Sequence, residues 1–162
     1  MALPDKGVNL ERSELAAWGE SVRAAGRTIA FTNGCFDLIH SGHLASLKQA
    51  AETADELVVA LNSDDSVGQL KGEGRPILPA LDRAGLIASL RPVSAVTIFG
   101  EPTPLEVIIQ IRPHVLVKGS EYAEEDIVGA REVKSWGGRV VRVPMVPGWS
   151  TSQIIDAIRE LP

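Results

Sequence analysis

The sequence predicts an α/β fold: a parallel sheet of about five strands with helices on both faces. Three observations carry this. Short apolar runs of strand length alternate with stretches of helical spacing along the 162 residues. Each run is rich in Val, Ile or Leu and is closed by Gly, Ser, Asn or Pro, as a strand buried on both faces requires. Helix-length segments separate the runs, and crossovers of that kind join parallel neighbours.

In chain order, "VNLERSELAAWGESVRAAG" reads as an opening helix, with Asn9 as its N-cap and Gly26 as its stop. The first strand, "TIAFTNG", leads into a helix, "GHLASLKQAAETA", whose inward stripe is Leu44, Leu47 and Ala51. "ELVVALNS" is the second strand. "SDDSVGQLKGEGRPILP" follows as the longest irregular segment, and long loops in such folds are often functional. Helix "LPALDRAGLIASL", strand "AVTIFG", helix "PLEVIIQIR" and strand "VLVKG" come next. Helix "EEDIVGAREVKSW", strand "RVVRVPMV" and helix "STSQIIDAIREL" complete the alternation. No internal repeat or linker divides the chain, so one domain over residues 1–162 is expected.

Composition excludes several classes of function. An apolar content of 44% belongs to a chain with a hydrophobic core, not a disordered one. A net charge of −5 and a pI near 5.2 argue against a nucleic-acid partner. No apolar run approaches the ~18 residues of a membrane span, and "MALPDKGVNLERSE" lacks the apolar region of a signal peptide. The single Cys35 cannot form an internal disulfide, and a cytoplasmic location is expected.

In open α/β sheets ligands bind beyond the carboxyl ends of the strands. That rule selects Thr32, Asn33 and Gly34; Asn62 and Ser63; Phe99 and Gly100; Lys118 and Gly119; and the segment before Ser150. In "TNGCFDLIHSGH", His40 and His43 flank Gly42 where a strand gives way to a helix. Helix starts attract anions through free N–H groups and the helix dipole, and imidazole donates to phosphate oxygens. A zinc site is the weaker reading, because H-x-x-H lacks the i,i+4 spacing and an evident third ligand. Capping or packing is the competing role for both histidines. Taken alone, Ser150 reads as an N-cap, Lys71 and Arg75 as solvated charges, and Asp37 as a turn cap or a partner for a histidine. Cys35, Trp18 and Trp136 read as packing residues, and His114 lies outside the site. Trp149 stands apart because it adjoins the Ser150 segment.

These residues carry a resemblance. "TNGCFDLIHSGH" resembles the H-x-G-H signature of the cytidylyltransferase-like nucleotidyltransferases, and "WSTSQII" resembles the S-T-S/T-x-x-I segment opening their final helix. "VVALNSDDSVGQLKGEGRPILP", "VLVKGSEY" and "GGRVVRVPMVPGWSTSQII" together resemble the heptose 1-phosphate adenylyltransferase family, over roughly residues 28–160. The resemblance implies a Rossmann-like nucleotidyltransferase fold. It also implies transfer of the adenylyl group of ATP to D-glycero-D-manno-heptose 1-phosphate, giving ADP-heptose and pyrophosphate, with Mg²⁺ as cofactor. This is a step of lipopolysaccharide biosynthesis.

Carried onto this chain, His40 and His43 hold the triphosphate and stabilise the transition state, and Lys118 adds positive charge. Thr32, Asn33, Gly34, Gly42 and Asn62 line the nucleotide's phosphates, as do Ser150, Thr151 and Ser152, while Lys71 and Arg75 meet the substrate. No residue is identified as a metal ligand. Partners implied are ATP, a sugar 1-phosphate, a second copy in a homodimer and a separate upstream sugar kinase, for which this chain has no room. Two departures stand out. "KGSEY" replaces K-G-G-D-Y, and Trp149 replaces a cysteine or isoleucine. A cytidylyltransferase for glycerol 3-phosphate or another small phosphate, and a nucleotide-binding regulatory module without turnover, are the alternatives.

Overall fold

The computed structural model describes residues 7–162. Six strands form one all-parallel sheet: β1 (Val8–Asn9), β2 (Ile29–Gly34), β3 (Glu56–Asn62), β4 (Ala95–Phe99), β5 (Val115–Gly119) and β6 (Arg139–Val143). Their spatial order is β1-β4-β3-β2-β5-β6. The chain steps outward from β2 through β3 to β4, then returns to the far side of β2 for β5. The order therefore reverses between β2 and β5, and a crevice opens at such a reversal.

The five expected strands are present, and the sixth corrects the opening of the chain. Val8 and Asn9 pair with Ala95 and Val96. Asn9 is therefore not a cap. The Leu10 N–H also bonds to the Val96 carbonyl, so the edge of β4 captures this backbone before a helix can start. A single 3₁₀ turn (Arg12–Glu14) follows, with the Glu11 N–H donating to Glu14 Oε2 at 2.8 Å, and leads into α1 (Leu15–Ala24). Gly26, at φ 71°, closes that helix as expected.

Two apolar clusters sandwich the sheet, which is why its central strands read as unbroken apolar runs. Helices α2 (Ser41–Ala51) and α4 (Ala80–Ala88) place Leu47, Ala50 and Ile87 against Leu57, Val59 and Leu61 of β3. On the other face α1, α5 (Leu105–Ile111) and α6 (Ala130–Ser135) set Trp18, Ile108 and Val133 against Phe31, Val58 and Leu116. The α2 stripe centres on Leu47 and Ala50, with Leu44 and Ala51 only half-buried.

Two further expectations change. The stretch expected to be irregular contains α3 (Asp64–Lys71), capped by Ser63 Oγ accepting from the Ser66 N–H at 3.3 Å. Residues 124–136 are not one helix. A 3₁₀ turn (Glu124–Asp126) and α6 are separated by Gly129 at φ 86°, which no right-handed helix accommodates. The last helix, α7 (Thr151–Arg159), buries none of its residues fully.

Candidate active site

A cleft of about 900 Å³ opens at the carboxyl ends of β2 and β5, where the strand order reverses. Every residue given a role through the resemblance lines it: Thr32, Asn33, Gly34, His40, Gly42, His43, Asn62, Lys71, Arg75, Lys118, Ser150, Thr151 and Ser152. Of the other strand-end residues selected, Phe99 and Gly119 line it and Ser63 and Gly100 do not. The topology gathers them; their individual contacts differ.

The loop joining β2 to α2 is strained. Phe36 and Leu38 both sit at φ 48°, a left-handed conformation costly for such side chains. This path turns His40 into the N-cap of α2, its Nδ1 accepting from the Gly42 N–H at 3.1 Å. An accepting Nδ1 leaves the proton of neutral imidazole on Nε2, the nitrogen free to act as a donor. His43 stacks on His40 with ring centroids 3.8 Å apart, and its other neighbour is the Phe36 ring at 5.2 Å. Burial, with repulsion from His40, pushes His43 down to about 4, so it is neutral at pH 7; burial also lowers His40. A β-carbon on Gly42 would stand 3.0 Å from the His40 ring and 3.3 Å from the Trp149 carbonyl. A larger residue would push the His40 ring or the Trp149 backbone aside by a few tenths of an ångström.

Asp37, 1% exposed, ties three segments together. Its carboxylate accepts from Arg75 Nε at 3.0 Å and from the N–H groups of Ile77 and Leu78 at 2.7 and 3.0 Å. Its carbonyl accepts from Thr151 Oγ1 at 2.6 Å. Burial alone would raise the carboxyl, but those donors hold it below its usual range. The sequence offered Asp37 only as a turn cap or a partner for histidine; no histidine bonds to its side chain.

Several expected phosphate contacts are thereby already engaged. The Nε of Arg75 belongs to Asp37, and the Thr151 hydroxyl belongs to the Asp37 carbonyl. The Asn62 amide donates to Ser66 Oγ at 2.9 Å. Ser150 is a helix cap, its Oγ accepting from the Gln153 N–H at 3.2 Å while its own N–H bonds to Gln153 Oε1. Ser152 is exposed in the cleft, and Lys71 is exposed at the end of α3. Lys118 Nζ donates to Asn33 Oδ1 at 2.5 Å, bridging β5 to β2 beyond the last paired residues, Phe31 and Leu116. Burial lowers Lys118 to about 8 despite the opposing charge of Glu121.

Arg83 escaped the sequence reading altogether. It is 0% exposed, and its guanidinium donates to the carbonyls of Cys35, Asn62 and Leu78 and to Asp64 Oδ1, at 2.6–2.9 Å. One side chain thus fixes the ends of β2 and β3, the start of α3 and the approach to α4. His114, as expected, lies elsewhere; its Nδ1 accepts from the Ile29 N–H at the opposite end of β2.

Comparison with known proteins adds a family to this geometry. The model of the cytidylyltransferase-like family matches residues 31–157. The chain belongs to the cytidylyltransferase-like family. It is a nucleotidyltransferase. Among curated relatives, the bifunctional protein HldE of Methylobacillus flagellatus is 50% identical over 95% of this chain and 31% of its own length. The bifunctional protein HldE of Koribacter versatilis is 52% identical over 90% of this chain and 30% of its own. The chain thus spans less than a third of the first and of the second. The crystal structure of the lipopolysaccharide core biosynthesis protein from Thermoplasma volcanium shares the fold, with a TM-score of 0.63 at 24% identity, covering 76% of this chain and 100% of that one.

Proposed function

We propose that this chain transfers the adenylyl group of ATP to D-glycero-D-manno-heptose 1-phosphate, forming ADP-heptose and pyrophosphate. The observation that carries nucleotidyl transfer is the convergence of two helix starts and a half-buried lysine. The starts of α2 and α7 open on one cleft, and Lys118 enters it from β5. Both helix starts favour anions. The heptose assignment rests on the relatives and on the "KGEGRP", "VLVKG" and "STSQII" blocks.

The reaction breaks the bond from the α-phosphorus to the bridging oxygen of pyrophosphate as an oxygen of the sugar 1-phosphate attacks in line. Such a transfer needs alignment and charge stabilisation, and no protein nucleophile. His40 donates through Nε2, with its ring fixed by the Gly42 N–H. His43 is held against it, its Nδ1 buried without a partner among the described residues. Lys118, kept over the β2–β5 gap by Asn33, supplies positive charge to the transferring group. Lys71 and the outer nitrogens of Arg75 receive the acceptor's phosphate.

A divalent cation fits this donor set. Among the described residues no cluster of three or more His, Cys, Asp or Glu is placed to hold one. Mg²⁺, however, keeps much of its water and binds through one or two carboxylates plus substrate phosphates. Glu121 lines the cleft beside Lys118 and is exposed, unlike Asp37. Bound there, the ion would neutralise phosphate charge. An upstream sugar kinase, a homodimer and a cytoplasmic setting complete the proposal; no helix among the described residues is long and apolar enough to cross a membrane.

Incubation with each nucleoside triphosphate, Mg²⁺ and a panel of sugar 1-phosphates, with products identified by mass spectrometry, tests the reading. ADP-heptose is expected from the 1-phosphate, and nothing from the free sugar or its 7-phosphate. A preference for CTP would favour a cytidylyltransferase. Binding without pyrophosphate release would favour a regulatory module, and a heptose bisphosphate product would make the protein a kinase.

A further inference from the structure

Trp149 has no part in the chemistry above, and its placement calls for one. Its indole is 55% exposed and lines the cleft, one residue before the Ser150 cap of α7. The other tryptophans serve the fold: Trp18 is in the core, and Trp136 Nε1 donates to the Pro113 carbonyl. Met145, 64% exposed, and Val146 line the same cleft from the segment leading to Trp149. Exposed apolar side chains gathered in a binding cleft mark a place that a ligand covers.

The position of Trp149 decides which part of a ligand that is. Its carbonyl lies 3.3 Å from where a Gly42 β-carbon would stand, so its backbone packs on the first turn of α2. Trp149 therefore stands between the two helix starts assigned to the triphosphate. A nucleotide anchored there carries one flat apolar group, its base, on a short ribose tether. The cleft's other exposed aromatic, Tyr122, lies on the β5 side with Lys118 Nζ 5.8 Å from its ring centre, away from the two helix starts.

We infer that Trp149, flanked by Met145 and Val146, is the stacking platform for the base of the nucleotide. This rests on the nucleotidyl-transfer reading above. Stacking on an indole accepts any base, but a purine covers more of it than a pyrimidine, so the platform biases the site toward ATP over CTP without separating ATP from GTP.

Calorimetric titration of ATP and of inorganic tripolyphosphate, each into wild type and Trp149→Ala, separates base from phosphate. ATP is expected to bind wild type more tightly than tripolyphosphate. Trp149→Ala should lose on the order of tenfold in ATP affinity, keep its tripolyphosphate affinity, and keep its melting temperature because the side chain is exposed. Trp149→Phe should recover most of the loss. In wild type, ATP but not tripolyphosphate should quench indole fluorescence. Unchanged ATP affinity in Trp149→Ala overturns the platform and leaves the phosphate chemistry standing. An equal loss for both ligands also overturns it, showing that Trp149 acts through the helix start. Wild type that binds neither ligand overturns the transfer reading, and the platform with it.

Discussion

Helix α2 starts inside the fold, on a loop whose Asp37 is 1% exposed and whose Cys35 carbonyl is gripped by the fully buried Arg83. Helix α7 starts outside it, tied across the chain by the Thr151 hydroxyl, with Ile158 and Leu161 exposed and none of its residues fully buried. Both open on the same cleft. Under the proposed transfer, the difference separates two tasks. Donors that meet developing charge gain most from a preorganised frame. A wall that admits and releases substrate is better built where local opening costs little.

The sharpest way to break this comparison is at the histidines. His40→Ala and His43→Ala should each lower turnover by about 10²–10³-fold, the loss expected when one preorganised donor is removed, far more than the about 1 kcal/mol of stability that goes with the α2 cap at His40. Near-normal turnover in both folded variants would take the preorganised start out of the mechanism. Asp37→Ala attacks the frame itself. It strands the Arg75 guanidinium and two backbone N–H groups, and should cost about 3 kcal/mol in denaturant unfolding. A loss below ~1 kcal/mol would show that Arg83 holds the loop unaided.

Lys118 gives the comparison a pH axis. Burial lowers it to about 8, so its charge disappears as pH rises through that value. The kcat/KM of the free enzyme should therefore fall above about pH 8, approaching tenfold per unit. Lys118→Met should remove that limb together with much of the activity, while keeping the apolar stem and the fold. A pH profile flat to 10 would mean that the ammonium is not needed. The smallest effect is expected at the outer start. Thr151→Val deletes one hydrogen bond, worth about 1 kcal/mol. It should appear as faster amide exchange in α7, with the global melting temperature nearly unchanged. A global loss would contradict the separation drawn between the two helices.

The strands were legible because burial on both faces leaves an unbroken apolar run, as in "ELVVAL". Strand β1 was not, because two residues held by one neighbour carry no pattern of their own. Helix α3 was hidden by its Asp, Ser and Gly content; its signal was Ser63 three residues before Ser66, an ordinary cap spacing. In the candidate site, the histidines, Lys118 and the final S-T-S segment were visible because they stand at strand ends and helix starts. Arg83 was not, because charged residues are read as solvent-facing, and Asp37 was read only as a turn cap or a histidine's partner, since its partners Arg75, Ile77 and Leu78 lie some 40 residues away. Position 83 did carry a clue: it lies four residues before Ile87, on the face that α4 buries. Which donors are already engaged, as at Thr151, Asn62 and Arg75, is a matter of tertiary contact that no local pattern encodes.

The two bonds that close the cleft, Lys118 to Asn33 and Thr151 to Asp37, join residues 85 and 114 positions apart in the chain. On the ribosome, the α2 start is therefore synthesised long before the groups that complete it. Closing such wide loops is entropically the slow part of folding. The strained β2–α2 turn, with its left-handed Phe36 and Leu38, gains its tie from Asp37 to Thr151 only once α7 has been made. Under the proposed transfer, anion binding in the cleft is thus expected late in folding, and in refolding tripolyphosphate binding should appear with the final phase.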